Sequence, residues 1–117
     1  MVAEKGARLR ASLDDLATRH GIIGDVRGLG LLQGVEFVAD RETRRPLAED
    51  LAVTRRVFAG ALERGVLIIP GVPGANYGKG GDHIQISPPY VVTDAELDRI
   101  ADVLDDTLSE IEAALTA

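Results

Sequence analysis

The sequence predicts an α+β two-layer sandwich: a small, mostly antiparallel sheet of three or four strands with helices packed on one face. Three observations predict it. Apolar residues recur at helical spacing near both ends of the chain. Residues 83–87, H-I-Q-I-S, alternate polar and apolar, the period of a half-buried strand. Between these lie a glycine-punctuated run of branched residues and one further apolar helical stripe, giving the order helix, strand region, helix, strand, strand, helix.

The first helix is expected over residues 3–19, where Leu9, Leu13 and Leu16 share one face. Gly21 stands in the position favoured for a C-cap. Met1 and Val2 lead into the helix with no cap of their own, the expectation for a piece of a longer polypeptide. Val26 to Val38 reads as strand, with Gly28, Gly30 and Gly34 marking bulges or close backbone approach. Residues 39–45 are charged and loop-like, and Pro46 fits a first helical turn. Leu47, Leu51, Thr54, Phe58, Ala61 and Leu62 make the stripe of a second helix, closed by Gly65. Val66 to Ile69 is a short, wholly apolar strand ended by Pro70. Residues 71–81 form a glycine-rich loop. After the strand from His83, Pro88 and Pro89 form a rigid corner because neither can donate a ladder hydrogen bond. Thr93 with Glu96 is a capping box. The last helix follows, with Leu97, Ile100, Ala101, Leu104, Leu108, Ile111 and Leu115 on its core face.

At 117 residues the chain is read as a single domain, 1–117. Aromatic residues are few and tryptophan is absent, so the core must be aliphatic. The net charge of −6 argues against a nucleic-acid partner. No cysteine is present, which excludes disulfides, thiolate zinc sites and cysteine nucleophiles. His20 and His83 have no metal-ligand spacing, and no apolar run approaches a membrane span. A cytoplasmic protein with no membrane partner is expected.

No catalytic constellation assembles from the residues. Gly28, Gly30 and Gly34 follow G-x-G-x-x-x-G with no helix behind them, a bent strand rather than a phosphate loop. The adjacent pairs Asp14–Asp15 and Asp105–Asp106 point about 100° apart on a helix and read as solvated faces. His83 reads as a structural histidine. Arg27 reads either as an interfacial anchor or as an exposed strand charge.

Two segments carry a resemblance. I-G-D-V-R-G-L-G-L-L-Q-G-V-E-F-V (23–38) and G-D-H-I-Q-I-S-P-P-Y-V-V-T-D-A-E-L-D-R-I (81–100) resemble the C-terminal small domain of class III aminotransferases. These are pyridoxal-phosphate enzymes of the ornithine, γ-aminobutyrate and ω-amino acid group. The charged loop with its helix and G-V-L-I-I-P (65–70) match in order. The resemblance covers nearly the whole chain and implies the small domain of a fold-type I transferase. It implies pyridoxal 5′-phosphate in a full-length parent, held by a large domain absent here, and no cofactor and no catalytic residue in this fragment. It further implies a homodimeric parent with an amino donor and a keto acid as substrates, this piece forming the substrate-side wall and lid.

Members often carry an arginine before the S-P-P corner that grips a substrate carboxylate bidentately. Gln85 stands at that position here, and Lys79 is the only cation of the preceding loop. With Arg27, these are the substrate-binding candidates that the resemblance suggests, and the donor leans towards an amine or ω-amino acid. The alternatives are a stand-alone, non-enzymatic α+β binding or regulatory module, and a purely structural domain.

Overall fold

In the computed structural model, the described residues are 2–48, 51–71, 82–89 and 91–116. Helix α1 (Val2–Arg19) leads into strands β1 (Ile23–Leu29) and β2 (Leu32–Phe37). Helix α2 (Val53–Glu63), strands β3 (Ile69–Pro70) and β4 (His83–Ile86), and helix α3 (Asp94–Thr116) follow. The four strands form one antiparallel sheet in the order β1-β2-β4-β3. Helix α1 packs on β1 and β2, α2 packs on β3 and β4, and α3 lies against both helices. This is the α+β arrangement expected from the sequence.

The core is aliphatic, as composition requires. Leu9, Leu13 and Leu16 of α1 meet Val53, Val57 and Ala61 of α2 and Leu97, Leu104 and Leu108 of α3 in one cluster. Val26, Val35 and Ile84 of the sheet point into the same cluster. The alternation of the strands therefore puts one face under the helices and leaves the other open.

The glycine-rich run 26–38 is a hairpin, not one bent strand. Gly30, at a φ of 57°, lies at its turn. The sequence conceals the turn because Leu29, Leu31 and Leu32 flank Gly30 where polar residues usually mark a reversal. A bulge does occur, between Ile23 and Asp25. Gly21 is not a left-handed cap. The end of α1 is closed instead by Arg41, whose guanidinium donates to Ala17 O (2.6 Å), His20 O (3.1 Å) and Ile23 O (3.1 Å).

Pro46 does not open α2, which begins at Val53. Leu47 is buried nonetheless, within a non-helical approach to the helix. The buried face of α2 is Val53, Thr54, Val57 and Ala61, whereas Leu62 is exposed. Gly65, at a φ of 87°, ends α2 in a Schellman motif: its N–H donates to Leu62 O (3.0 Å) and that of Val66 to Ala61 O (2.9 Å). Residues 66–69 alternate, with Val66 and Ile68 buried and Leu67 and Ile69 outward. Only Ile69 and Pro70 join the ladder, at the sheet edge where proline is tolerated. The capping box forms as expected: Thr93 N donates to Glu96 Oε1 (2.9 Å) and Glu96 N to Thr93 Oγ1 (3.1 Å). The bond from the Thr93 amide, followed by interaction with the Thr93 hydroxyl, holds the Glu96 carboxyl below its usual range.

Candidate functional site

The open face of the sheet is organised by register. Arg27 of β1 pairs with Gly34 of β2, Gly34 with Gln85 of β4, and Gln85 with Ile69 of β3. Directly paired residues of antiparallel strands project on the same side. A guanidinium, a glycine, a primary amide and an isoleucine thus form one row away from the core. A second row runs Asp25, Glu36, His83. On the opposite flank Leu29 pairs with Leu32, and Leu67 is also outward. Leu29 is 86% exposed and Leu67 75%. The face grades from aliphatic at the Leu29–Leu32 turn to charged at Asp25.

Arg27 is 71% exposed and is held by carboxylates of the second row. Its Nη2 donates to Glu36 Oε2 at 3.1 Å, and its Nη1 lies 3.7 Å from Asp25 Oδ2. The guanidinium keeps unused donors and faces solvent. Gln85 is exposed on a central strand, in the middle of the same face. The structure therefore brings together two of the three residues singled out from the sequence. Lys79, and the loop reading for residues 72–81, lie outside the described residues.

Asp82 escaped the sequence reading. The N-cap of α2, Ala52, is left-handed and offers no side-chain cap. Asp82 supplies it from 28 residues away: its Oδ1 accepts from Thr54 N (2.9 Å) and from Thr54 Oγ1 (2.7 Å). Thr54 Oγ1 in turn accepts from His83 N at 3.1 Å, and Asp82 O accepts from Phe37 N at 2.9 Å. A carboxylate at a helix N-terminus is favoured by the helix dipole as well as by the bonds. The clasp ties the start of β4, three residues before Gln85, to α2 and to β2. An acid directly before an alternating strand was its only sequence signal.

A second polar knot lies on the helical side. His20 is 3% exposed. Its Nδ1 meets Glu112 Oε1 at 2.5 Å and its Nε2 meets Asp105 Oδ1 at 2.6 Å. Both ring nitrogens thus lie within hydrogen-bond distance of a carboxylate of α3. Arg19 Nη1 also reaches Asp105 Oδ2 at 2.8 Å. The hydrogen bond from His20, followed by that from Arg19, holds the Asp105 carboxyl below its ordinary range, against desolvation that would raise it. Asp105 is thus not part of a solvated face. Asp14 and Asp15 are, in ion pairs with Arg10 and Arg19 one turn away.

Of the two lysines, Lys5 sits on α1, on the helical side of the sheet and near Glu96. No described lysine reaches the open face. No group of three metal-ligating side chains occurs among the described residues, and no described helix is long and apolar enough to cross a membrane.

Comparison with known proteins gives a consistent picture. The family model described as aminotransferase class-III matches residues 1–108. Taurine–pyruvate aminotransferase of Rhodobacter capsulatus is 43% identical over 114 residues, which span 95% of this chain and 23% of that protein. The uncharacterized aminotransferase YodT of Bacillus subtilis is 38% identical over 96% of this chain and 25% of its own length. Among solved structures, a transaminase from the marine bacterium Virgibacillus superposes with a TM-score of 0.88 at 25% identity, over 97% of this chain and 25% of that one. The chain therefore spans about a quarter of the length of the relatives it matches.

Proposed function

This chain belongs to the class III aminotransferase family, and from that premise we propose that it is the C-terminal small domain of a longer transaminase. Its open face serves as the substrate-side wall of the active site. The parent moves an amino group from a donor to a keto acid. The cofactor, pyridoxal 5′-phosphate, is that of the family and supplies the electron sink for the reaction. In this reading it is held by the large domain, outside this chain. The domain contacts its own large domain and the second subunit of a homodimer through surfaces that include the open face.

The observation that carries this reading is the Arg27–Gly34–Gln85 row. A β-sheet with one face under helices normally turns polar side chains to water on the other. Here that face exposes Leu29, Leu32, Leu67 and Ile69 beside the row. Such a mixture of aliphatic contact and a few placed polar groups is what a substrate wall needs. Gln85 offers hydrogen bonds without charge, so an α-carboxylate is held less firmly there than by an arginine fork. Amines and ω-amino acids are the donors that suit it. The guanidinium of Arg27, two strands away, is placed for a distal acidic group, and Lys79 is proposed to add a second cation.

The full-length polypeptide tests the reading. With pyridoxal phosphate it should convert an ω-amino acid and pyruvate to the corresponding ω-oxo acid and alanine. The 117-residue chain alone should give no aldimine absorbance with the cofactor. Absence of amino transfer by the full-length polypeptide across amine and ω-amino donors would refute the proposal.

A further inference from the structure

Gly34 occupies the middle of a central strand, where glycine lowers stability and offers nothing to pack. Several described glycines have a steric reason in the fold, and Gly21, which has none, lies outside the sheet. A Cβ on Gly6 would stand 2.6 Å from the backbone of Gly30, and one on Gly24 would stand 2.7 Å from the Val38 side chain. Gly34 has no such reason. Its φ is not positive. Among the described residues a Cβ there would meet only Arg27 O at 3.6 Å and Ile84 O at 3.8 Å, ordinary van der Waals contacts. Neither the Arg27 guanidinium nor the Gln85 amide leans over it within that range among the described residues. Alanine fits this backbone without strain.

A strand glycine with room for a side chain marks a close approach by something outside the strand. The register places this gap between Arg27 and Gln85, whose backbones straddle it roughly 10 Å apart given a strand spacing of about 4.8 Å. The gap is one side chain deep, floored by backbone, with an amide on one side and a cation on the other. We infer that Gly34 determines donor choice, by leaving a slot for the unbranched carbon chain of an ω-amino acid whose distal carboxylate turns towards Arg27. The inference rests on the substrate-wall reading above. It adds the residue that sets how long a donor the wall accepts.

The test uses the full-length polypeptide with Gly34→Ala and Gly34→Val, two donors and two physical controls. The donors are 6-aminohexanoate, long enough to lie in the slot, and ethylamine, which ends before it. One methyl group too many in a snug site costs about 10- to 200-fold in kcat/KM. Gly34→Ala should show that loss for 6-aminohexanoate, carried by KM, and Gly34→Val a larger one. Ethylamine should lose clearly less than 6-aminohexanoate, cofactor absorbance should keep its wild-type value, and Tm should hold or rise as a strand glycine is replaced. Equal changes for the two donors, or none for either, overturn the inference with the parent reading intact. A sharp fall in Tm for Gly34→Ala also overturns it, by showing that the fold needs the glycine. A wild-type polypeptide that transfers no amino group overturns the parent reading itself, and this inference with it.

Discussion

Replacing His20 by alanine should remove about 2–4 kcal/mol of stability. His20 bridges α1 to α3 by two contacts, to Asp105 Oδ1 at 2.6 Å and Glu112 Oε1 at 2.5 Å. A hydrogen bond to a charged group contributes roughly 1.5–3 kcal/mol, so two give about 3–6 kcal/mol before correction. The carboxylates are 32% and 27% exposed, so water recovers part of their solvation when the ring is gone. Arg19 still faces Asp105, which removes more of the penalty. The imidazole itself is nearly fully buried, and its truncation adds a packing loss. For a chain of this length that corresponds to a fall in Tm of roughly 10–20 °C. Urea unfolding followed by circular dichroism measures it directly. A double-mutant cycle with Asp105→Asn should give a coupling of about 1–2 kcal/mol. The pH dependence has a definite sign. The Asp105 carboxyl lies below its ordinary range in the folded chain, chiefly through the His20 bond. Its contribution is therefore present above the unfolded carboxylate range and is lost as pH falls through the depressed folded value. His20→Ala should flatten this acid limb while leaving the rest of the profile in place. A loss under about 1 kcal/mol, with an unchanged acid limb, would show that the two carboxylates resolvate freely and that the knot does not join the helices.

Three further outcomes follow from the geometry. Asp82→Ala should cost about 1–2 kcal/mol in urea unfolding because Thr54 N and Oγ1 lose their acceptor, whereas Asp82→Asn should keep most of the stability. Gly6→Ala should destabilise by about 1–3 kcal/mol, since its Cβ would stand 2.6 Å from Gly30 backbone atoms that cannot swing away; wild-type thermal stability would refute the α1–hairpin contact. In the full-length polypeptide, Gln85→Arg should shift kcat/KM towards α-carboxylate donors by about 1–3 kcal/mol, and an unchanged donor profile would place carboxylate recognition outside this sheet.

The helices at the two ends were legible because their signals are local. Leu9, Leu13 and Leu16 declare a face by spacing, and Thr93 with Glu96 declares a start by a bond three residues long. The hairpin was not legible because an aliphatic run passes straight through its turn at Gly30. The start of α2 was not legible because its cap comes from Asp82, which no window around Val53 contains. Of the site, Arg27 and Gln85 could be named from the sequence as types. Only the pairing of three strands shows that they share a face with Gly34 between them. His20 was passed over for want of metal spacing. Its partners lie 85 and 92 residues away, on a helix whose Asp105–Asp106 pair looked like ordinary solvated surface.

The Asp82–Thr54 clasp also bears on how the chain folds. The Thr54 amide, like any first-turn amide, has no acceptor within its own helix, and the residue before β4 supplies one. Docking of β4 is equally incomplete without Thr54, because the His83 amide donates to the Thr54 hydroxyl. Helix and strand should therefore open together, and hydrogen exchange of their amides at a shared rate would show it. The central strand that carries Gln85 should then be as well protected as the helix behind it, even where the β3 edge frays.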